Sequence, residues 1–173
     1  SQVNFNALAR VCRKGGSFRQ FYESLPNILA AKELQAVVSA IVTAHTHKKR
    51  VLLMCGAHVL KVGLSPLLIE LIRRRIVTAI AFNGACVVHD FEMAFMGSTS
   101  EDVAQALADG SFGMAEETHR FINGAIGAGA KNGMGLGESV GAMILSERLP
   151  YRRLSVLATC ARLGVPVTVH VAI

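Results

Sequence analysis

Three side chains capable of acid–base or electrostatic chemistry lie close together near the middle of the chain: His89, Asp90 and Glu92. They follow a short apolar segment that ends at residues 83–85, Asn-Gly-Ala. Because an imidazole titrates near neutral pH, His89 could act as a proton shuttle. The alternative is a histidine near a helix N-terminus that hydrogen-bonds to nearby backbone. The sequence leaves both interpretations open.

The segments that must position these residues read as strand, turn and helix, twice in succession. Apolar segments of strand length, 51–55 and 77–82, each run into a glycine-containing turn. A helix is predicted between them, with Ser65 at its N-cap and Pro66 in its first turn. Two buried strands joined by one helix imply a parallel pair with a right-handed crossover. Since ligands bind beyond the carboxyl ends of parallel strands, we expect any chemistry at those two turns.

Helical patterns fill most of the remaining chain, and a third apolar strand closes it. Helices are predicted over 4–13, 17–25, 29–47, 86–96, 102–108, 116–130, 135–149 and 151–163, and a strand over 165–171. The pattern predicts an α/β fold: a Rossmann-like parallel sheet with flanking helices and further N-terminal helices, in a single domain over 1–173. The sheet is small for so many helices, and the chain stops where ligand loops normally begin. We therefore expect the C-terminal part of the domain to be missing.

Charge and hydropathy exclude two classes of partner. The net charge is +6, but the basic residues form short clusters at predicted element ends, with no aromatic residues between them. This is typical of solvated helix ends, with or without an acidic ligand or partner beside them, and not of a nucleic-acid-binding surface. No apolar run reaches the roughly 20 residues of a membrane helix. No signal-peptide core is evident, so no membrane association or export is expected.

The cysteines and histidines do not predict a metal site. His45 and His47 are two residues apart, which places them on different sides of a helix. The cysteines are widely spaced, lie in apolar surroundings and lack zinc-ligand spacing: Cys12, Cys55, Cys86 and Cys160. We interpret them as reduced thiols of a cytoplasmic protein.

Two stretches of the chain, 56–92 and 137–173, resemble the deoxyhypusine synthase family, with motifs in the same order. Residues 56–63 stand where the family has a polar turn and Ser-Gly before a helix. Residues 83–90 read Asn-Gly-Ala-Cys-Val-Val-His-Asp, where the family reads Thr-Ala-Gly-Gly-Val-Glu-Glu-Asp. Residues 155–167 are similar to the family's Ser-Val-Tyr helix and Ile-Pro-Val-Phe strand.

The resemblance implies an NAD-dependent aminobutyl transferase that forms a homotetramer with NAD at subunit interfaces. In the family, NAD oxidises spermidine, an enzyme lysine takes the butyl-imine, and the group passes to a lysine of a protein acceptor, a translation factor. By position, the residues implied to bind NAD are Gly56, Ala57, His58, Gly63, Asn83, Gly84 and Ala85. Small residues agree with this role, because they let backbone amides approach a pyrophosphate.

Departures from the family bear on the substrate. Val88 and His89 replace the paired glutamates that meet the cationic amine, so the amine need not be spermidine. His89 and Asp90 become the catalytic candidates, and together with Glu92 they are the candidates for binding an amine. The two acids are equally suited to surface or capping roles.

The segment with the family's catalytic lysine is absent, and no lysine present, Lys61 included, matches its motif. Two alternatives therefore stay open. One is a homospermidine synthase-like enzyme whose acceptor is a free diamine. The other is a dinucleotide-binding protein of the same fold without transfer chemistry.

Three further expectations concern single positions. Gly84 is expected to turn sharply beside the ligand, so that a side chain there would meet forbidden backbone angles or the dinucleotide. The spacing of Gly124, Gly127 and Gly129 predicts close helix contacts between subunits. His170 is expected to be a satisfied core or interface histidine.

Overall fold

The structure is a computed structural model that describes residues 3–99 and 116–171. The chain divides into two compact units, Ser1–Lys49 and Arg50–Ile173. The single domain predicted over 1–173 stays a prediction. The helix predicted over 102–108 lies outside the described residues.

The first unit contains two helices, α1 (Phe18–Ser24) and α2 (Leu29–Thr46). Ser17 begins α1 with a capping box: its hydroxyl accepts from the Gln20 amide, and the Gln20 side chain accepts from the Ser17 amide. The helix predicted over 4–13 is wrong, because only Phe5–Ala7 forms a 3-10 turn. The chain beyond that turn bonds to α1 instead, through Arg10, whose amide donates to Ser24 O and whose guanidinium donates to Glu23 O.

The second unit is built on a parallel sheet of three strands, β1 (Leu52–Cys55), β2 (Ala79–Asn83) and β3 (Val167–His170). Both pairings are parallel, and the strand order β1-β2-β3 follows the chain. Leu53, Ile80 and Val167 lie in one row of the register. The prediction of an α/β fold with a parallel sheet is confirmed.

Six helices of this unit are described: α3 (His58–Lys61), α4 (Ser65–Arg73), α5 (Gly84–Met96), α6 (Glu116–Ala130), α7 (Leu136–Ser146) and α8 (Val156–Leu163). The helix predicted over 151–163 is interrupted at Ser155, which has extended backbone and caps α8 by accepting from the Ala158 amide. A 3-10 turn, Arg152–Leu154, precedes it. Ser65 is not the N-cap of α4, since Leu64 occupies that position and Ser65 is already helical.

The helices pack on one face of the sheet. Alternating side chains of the strands, among them Leu53, Ile80 and Phe82, belong to the hydrophobic core with α4, α5, α7 and α8. Right-handed crossovers between strands placed in chain order put all connecting helices on the same side, which accounts for this arrangement. On the opposite face, Leu52 is 56% exposed and Met54 is 70% exposed, whereas Ala81 of the central strand is 8% exposed.

Close approaches fix how the helices pack within this core. A Cβ at Gly141 of α7 would overlap the Leu157 carbonyl oxygen of α8, so the close approach of these helices requires a glycine at this position. Phe121 of α6 packs on α5, with its ring centroid 5.7 Å from those of Phe91 and Phe95. Among residues 3–99 and 116–171, no helix is both long and apolar enough to cross a membrane.

Candidate functional site

The carboxyl ends of the three strands form one edge. Cys55 pairs with Phe82, and Asn83 pairs with His170. Asn83 also caps α5, because its Oδ1 accepts from the Cys86 amide at 3.1 Å. The amide Nδ2 of Asn83 lies beside Gly56, 3.5 Å from where a Cβ on that glycine would sit. This edge therefore carries a free amide donor, an open glycine and the N-terminus of a 13-residue helix.

The structure brings most of the predicted cofactor residues to this edge. Gly56 is exposed, and Ala57 and His58 begin α3, which lies directly behind it. Gly63 ends the turn after α3 with a φ of +85°, a conformation that favours glycine. Ala85 is exposed in the first turn of α5. Exposed small residues around a helix N-terminus let backbone amides approach an anionic ligand.

Gly84 departs from its expected role. Its φ lies outside the left-handed region, so the sharp-turn expectation is wrong. A Cβ at Gly84 would lie 3.0 Å from Val171 Cγ1, just beyond the end of β3. The glycine accommodates the packing of Val171 over the start of α5.

His89 and Glu92 form a pair on α5. The Nδ1 of His89 lies 3.3 Å from Glu92 Oε2, and the two side chains are 23% and 5% exposed. The hydrogen-bond partner described for His89 is therefore a buried carboxylate, and the alternative of a bond to backbone stays a prediction. With Nδ1–H donating to Glu92, the lone pair of the imidazole lies on Nε2. Such a pair can hold a histidine base in a fixed orientation.

Asp90 has different surroundings from His89 and Glu92. It is 1% exposed and accepts three hydrogen bonds, from Ser155 Oγ at 2.5 Å, Val156 N at 2.7 Å and Leu157 N at 3.1 Å. Burial raises its pKa to about 6, against the opposing effect of these hydrogen bonds. Asp90 thus caps the N-terminus of α8, which is the capping alternative that the sequence left open. This enclosure does not suit contact with an amine.

The cysteines near the edge are unreactive thiols. The four cysteines, all within the described residues, are free. Burial raises the pKa of Cys86 to about 11 and that of Cys160 to about 12, so neither forms a thiolate readily. Across 3–99 and 116–171, no cluster of three His, Cys, Asp or Glu side chains could hold a metal ion.

The glycines of α6 have separate roles. A Cβ at Gly129 would overlap Ser139 of α7, so this glycine serves packing within the chain. Among the described residues, a Cβ at Gly124 or Gly127 would meet nothing within 4 Å outside the backbone of its own helix. Gly124 lines a cavity of about 510 Å³ between α6 and α7, away from the sheet edge. The predicted contact between subunits through these glycines stays a prediction.

His170 is exposed at the carboxyl edge, so the core alternative for this histidine is wrong, and the interface alternative stays a prediction. Its Nε2 lies 3.0 Å from Thr168 Oγ1. The alternation along β3 was the available signal. Val167 and Val169 belong to the core, so Thr168 and His170, which alternate with them, must face the other way.

No family model matches the chain, and no curated protein matches it. Among solved structures, the chain is similar to the apo form of ArgZ, an arginine dihydrolase from the ornithine–ammonia cycle in cyanobacteria. The identity is 17% and the TM-score 0.57, and the match covers 87% of this chain and 19% of that chain. This chain therefore spans about a fifth of that protein's length. At this identity the likeness shows the fold alone, and it agrees with an α/β architecture.

Proposed function

We propose that this chain is an NAD-dependent transferase of the deoxyhypusine synthase type, which acts on a polyamine or related amine by aminobutyl transfer. The observation that carries the proposal is the His89–Glu92 pair, with 3.3 Å between Nδ1 and Oε2. The pair lies on the helix that begins at the carboxyl end of β2. That edge is where α/β proteins with parallel sheets bind ligands.

The residues that would hold NAD are those of the edge. Gly56, Ala57 and His58 lie at the end of β1, Gly63 lies beyond α3, and Asn83 to Ala85 begin α5. The amide Nδ2 of Asn83 can donate to a ligand oxygen, because Oδ1 is already bonded to the Cys86 amide. When bound, NAD supplies a hydride acceptor.

His89 supplies the base that such a reaction needs. An amine must give up a proton before or during the loss of hydride, and Nε2 of His89 has the lone pair to take it. The Glu92 carboxylate accepts from Nδ1–H and stabilises the imidazolium that results. Glu92 therefore acts through His89, as a positioning residue.

The alternative is a dinucleotide-binding protein without transferase activity, or a homospermidine synthase-like enzyme. The binding protein is favoured by Asp90, whose carboxylate is enclosed by the N-terminus of α8 and unavailable to an amine. Homospermidine synthesis differs in its acceptor, a free diamine in place of a protein lysine. A homotetramer belongs to the proposal, and light scattering that gives a monomer mass would contradict it.

The experiment follows NADH absorbance with NAD and a panel of spermidine, putrescine and arginine, the last because the structural neighbour is an arginine dihydrolase. We expect NAD reduction with one of these amines. His89→Ala should slow it at least about 100-fold, the range of a lost general base. The control is His119→Ala, an exposed histidine of α6 whose Nε2 lies 2.7 Å from Asn123 Nδ2.

The outcomes distinguish the transferase from the binding-protein alternative. Equal losses in both variants would remove His89 from the mechanism. NAD binding measured by calorimetry without reduction by any amine would favour the binding-protein alternative. No NAD binding by the wild-type chain would overturn both readings.

A further inference from the structure

The first unit of the chain has no core of its own. None of residues 3–49 is buried, although the unit is compact and contains two helices, α1 and α2. Units of this size usually need a disulfide, a metal ion or a second chain to be stable. The one cysteine of the unit, Cys12, is free, and the described residues hold no cluster of metal ligands. The apolar surface of the unit therefore needs cover from another surface.

Much of this apolar surface lies along α2. Apolar residues of the helix recur alternately four and three residues apart, which is the heptad pattern of a helix that packs lengthwise against another. We call these residues the α2 seam: Ala30, Leu34, Val37, Ile41 and Ala44. Leu34 is 48% exposed and Val37 is 56% exposed, and Val38 and Val42 beside the seam are exposed as well. The spacing therefore predicts that the cover is a second helix.

Charge at the two ends of α2 favours an antiparallel partner. The one acid of the helix, Glu33, lies near its N-terminus, and residues 47–49, His-Lys-Lys, follow its C-terminus. Glu33 forms no salt bridge within residues 3–99 and 116–171, and the adjacent Lys32 lies on the side of the helix away from the seam. Two copies of α2 in opposite directions bring Glu33 of each beside the basic end of the other, and they oppose the two helix dipoles. A parallel pair would bring like charges together at both ends.

The sizes of the seam residues fit the same arrangement. In an antiparallel pair, Leu34 of one copy faces Ala44 of the other, and Val37 faces Ile41. Each of these layers combines a larger with a smaller side chain, which fills the space between the helices. A parallel pair would place alanine on alanine at positions 30 and 44 and leave gaps there. The seam is therefore complementary to itself, as a two-fold interface requires.

We infer that α2 pairs antiparallel, along the α2 seam, with α2 of a second copy of this chain. The inference goes beyond the proposed function, because it assigns a contact surface and its orientation and uses no residue of the proposed NAD site. One such interface makes a dimer, and a homotetramer with two-fold axes contains it twice.

The first test measures the mass of the full chain by light scattering at micromolar concentration. Val37→Glu puts a charge in the middle of the seam and should halve the mass, because each copy loses one two-fold contact. Ala36→Glu is the matched control, since Ala36 is exposed and lies outside the seam, and this variant should keep the wild-type mass. An unchanged mass in Val37→Glu, or an equal loss in Ala36→Glu, would overturn the inference. A monomeric wild type would also overturn it, because the seam would then be covered by something other than a second copy.

The second test does not depend on how a charged variant folds. In the antiparallel pair, Ala40 lies beside the same residue of the other copy, whereas the two Ala36 side chains point outward. With a short bismaleimide, Ala40→Cys should give a covalent dimer above the wild-type background, and Ala36→Cys should not. Equal yields from these two variants would contradict the pairing. Val37→Cys tests the orientation, because Val37 faces its own copy only in a parallel pair, so a higher yield from Val37→Cys than from Ala40→Cys would overturn the antiparallel arrangement.

Discussion

A buried carboxylate that accepts three hydrogen bonds is subject to two opposing effects. At Asp90, donors from Ser155 and the first turn of α8 favour the ionised form, whereas burial favours the neutral form. Burial dominates, so the pKa rises from 3.8 to about 6. This residue therefore links stability to pH near neutrality, although it lies between His89 and Glu92 on α5.

The sign of this linkage follows from the direction of the shift. A pKa that is higher in the folded state gives stability that is complete below the unfolded value and is lost as the pH rises through the folded value. We expect the free energy of unfolding to fall by about 3 kcal/mol from Asp90 alone between about pH 4 and pH 7. Asp90→Asn has no titratable group at this position, so its free energy of unfolding should not show this fall.

The measurement is urea unfolding at several pH values for the wild type and Asp90→Asn, read as a difference so that other acids cancel. Glu147→Gln, at an exposed acid, is the matched control. The same pH dependence in the wild type and in Asp90→Asn would show that Asp90 does not titrate in this range.

At the scale of elements, one glycine, Gly141, sets the distance between α7 and α8 because it has no side chain. The Cβ of any residue at Gly141 would lie 2.8 Å from the Leu157 carbonyl carbon and 3.1 Å from Ala161 Cβ. The obstacle is helical backbone, which cannot move without disturbing α8. A second close contact joins α7 to β3, because a Cβ at Gly137 of the same helix would lie 2.8 Å from Val167 O.

We expect Gly141→Ala to lower the free energy of unfolding by about 1–3 kcal/mol, as overpacked core positions do. Gly127→Ala in α6 is the control, since a Cβ there would meet no described residue within 4 Å outside the backbone of its own helix. That change should stabilise the protein by about 0.5–1 kcal/mol through helix propensity. Denaturant unfolding of both variants provides the comparison, and a stabilised Gly141→Ala protein would contradict the close contact.

The sequence predicted the strands and their parallel pairing because apolar segments bounded by glycine turns carry a strong local signal. It wrongly predicted a helix over 4–13, where Arg10 bonds to residues 23 and 24 and not to its own helical neighbours. It also left the role of Asp90 open, because its partners lie 65 to 67 residues away. Contacts of this range leave no mark in local periodicity.

At the scale of the whole molecule, the two faces of the parallel sheet differ in exposure. All-parallel sheets occur almost only with both faces covered. On the face opposite the described helices, Leu52 and Met54 of the edge strand are exposed, whereas Ala81 of the central strand is buried. The described connecting helices share the other face, as right-handed crossovers between strands in chain order require. The candidate edge is shared by both faces.

The strand order also has a consequence for the route by which the chain folds. The β1–β2 pair joins residues such as Val51 and Thr78, 27 apart, whereas the β2–β3 pair joins Ile80 and Thr168, 88 apart. Closing the longer loop costs about 1 kcal/mol more in chain entropy. We expect β1, α4 and β2 to associate first, with β3 docking later.

Two consecutive amides of β2 report these events separately. The Ala79 amide donates to Val51 O of the first pairing, and the Ile80 amide donates to Pro166 O of the second. In pulse-labelled hydrogen exchange during refolding, Ala79 should become protected before Ile80. Simultaneous protection would mean that all three strands form in one cooperative step. With the expected order, a sheet of two strands would exist for a time with β2 as an unpaired edge, the kind of exposed edge through which partly folded chains associate.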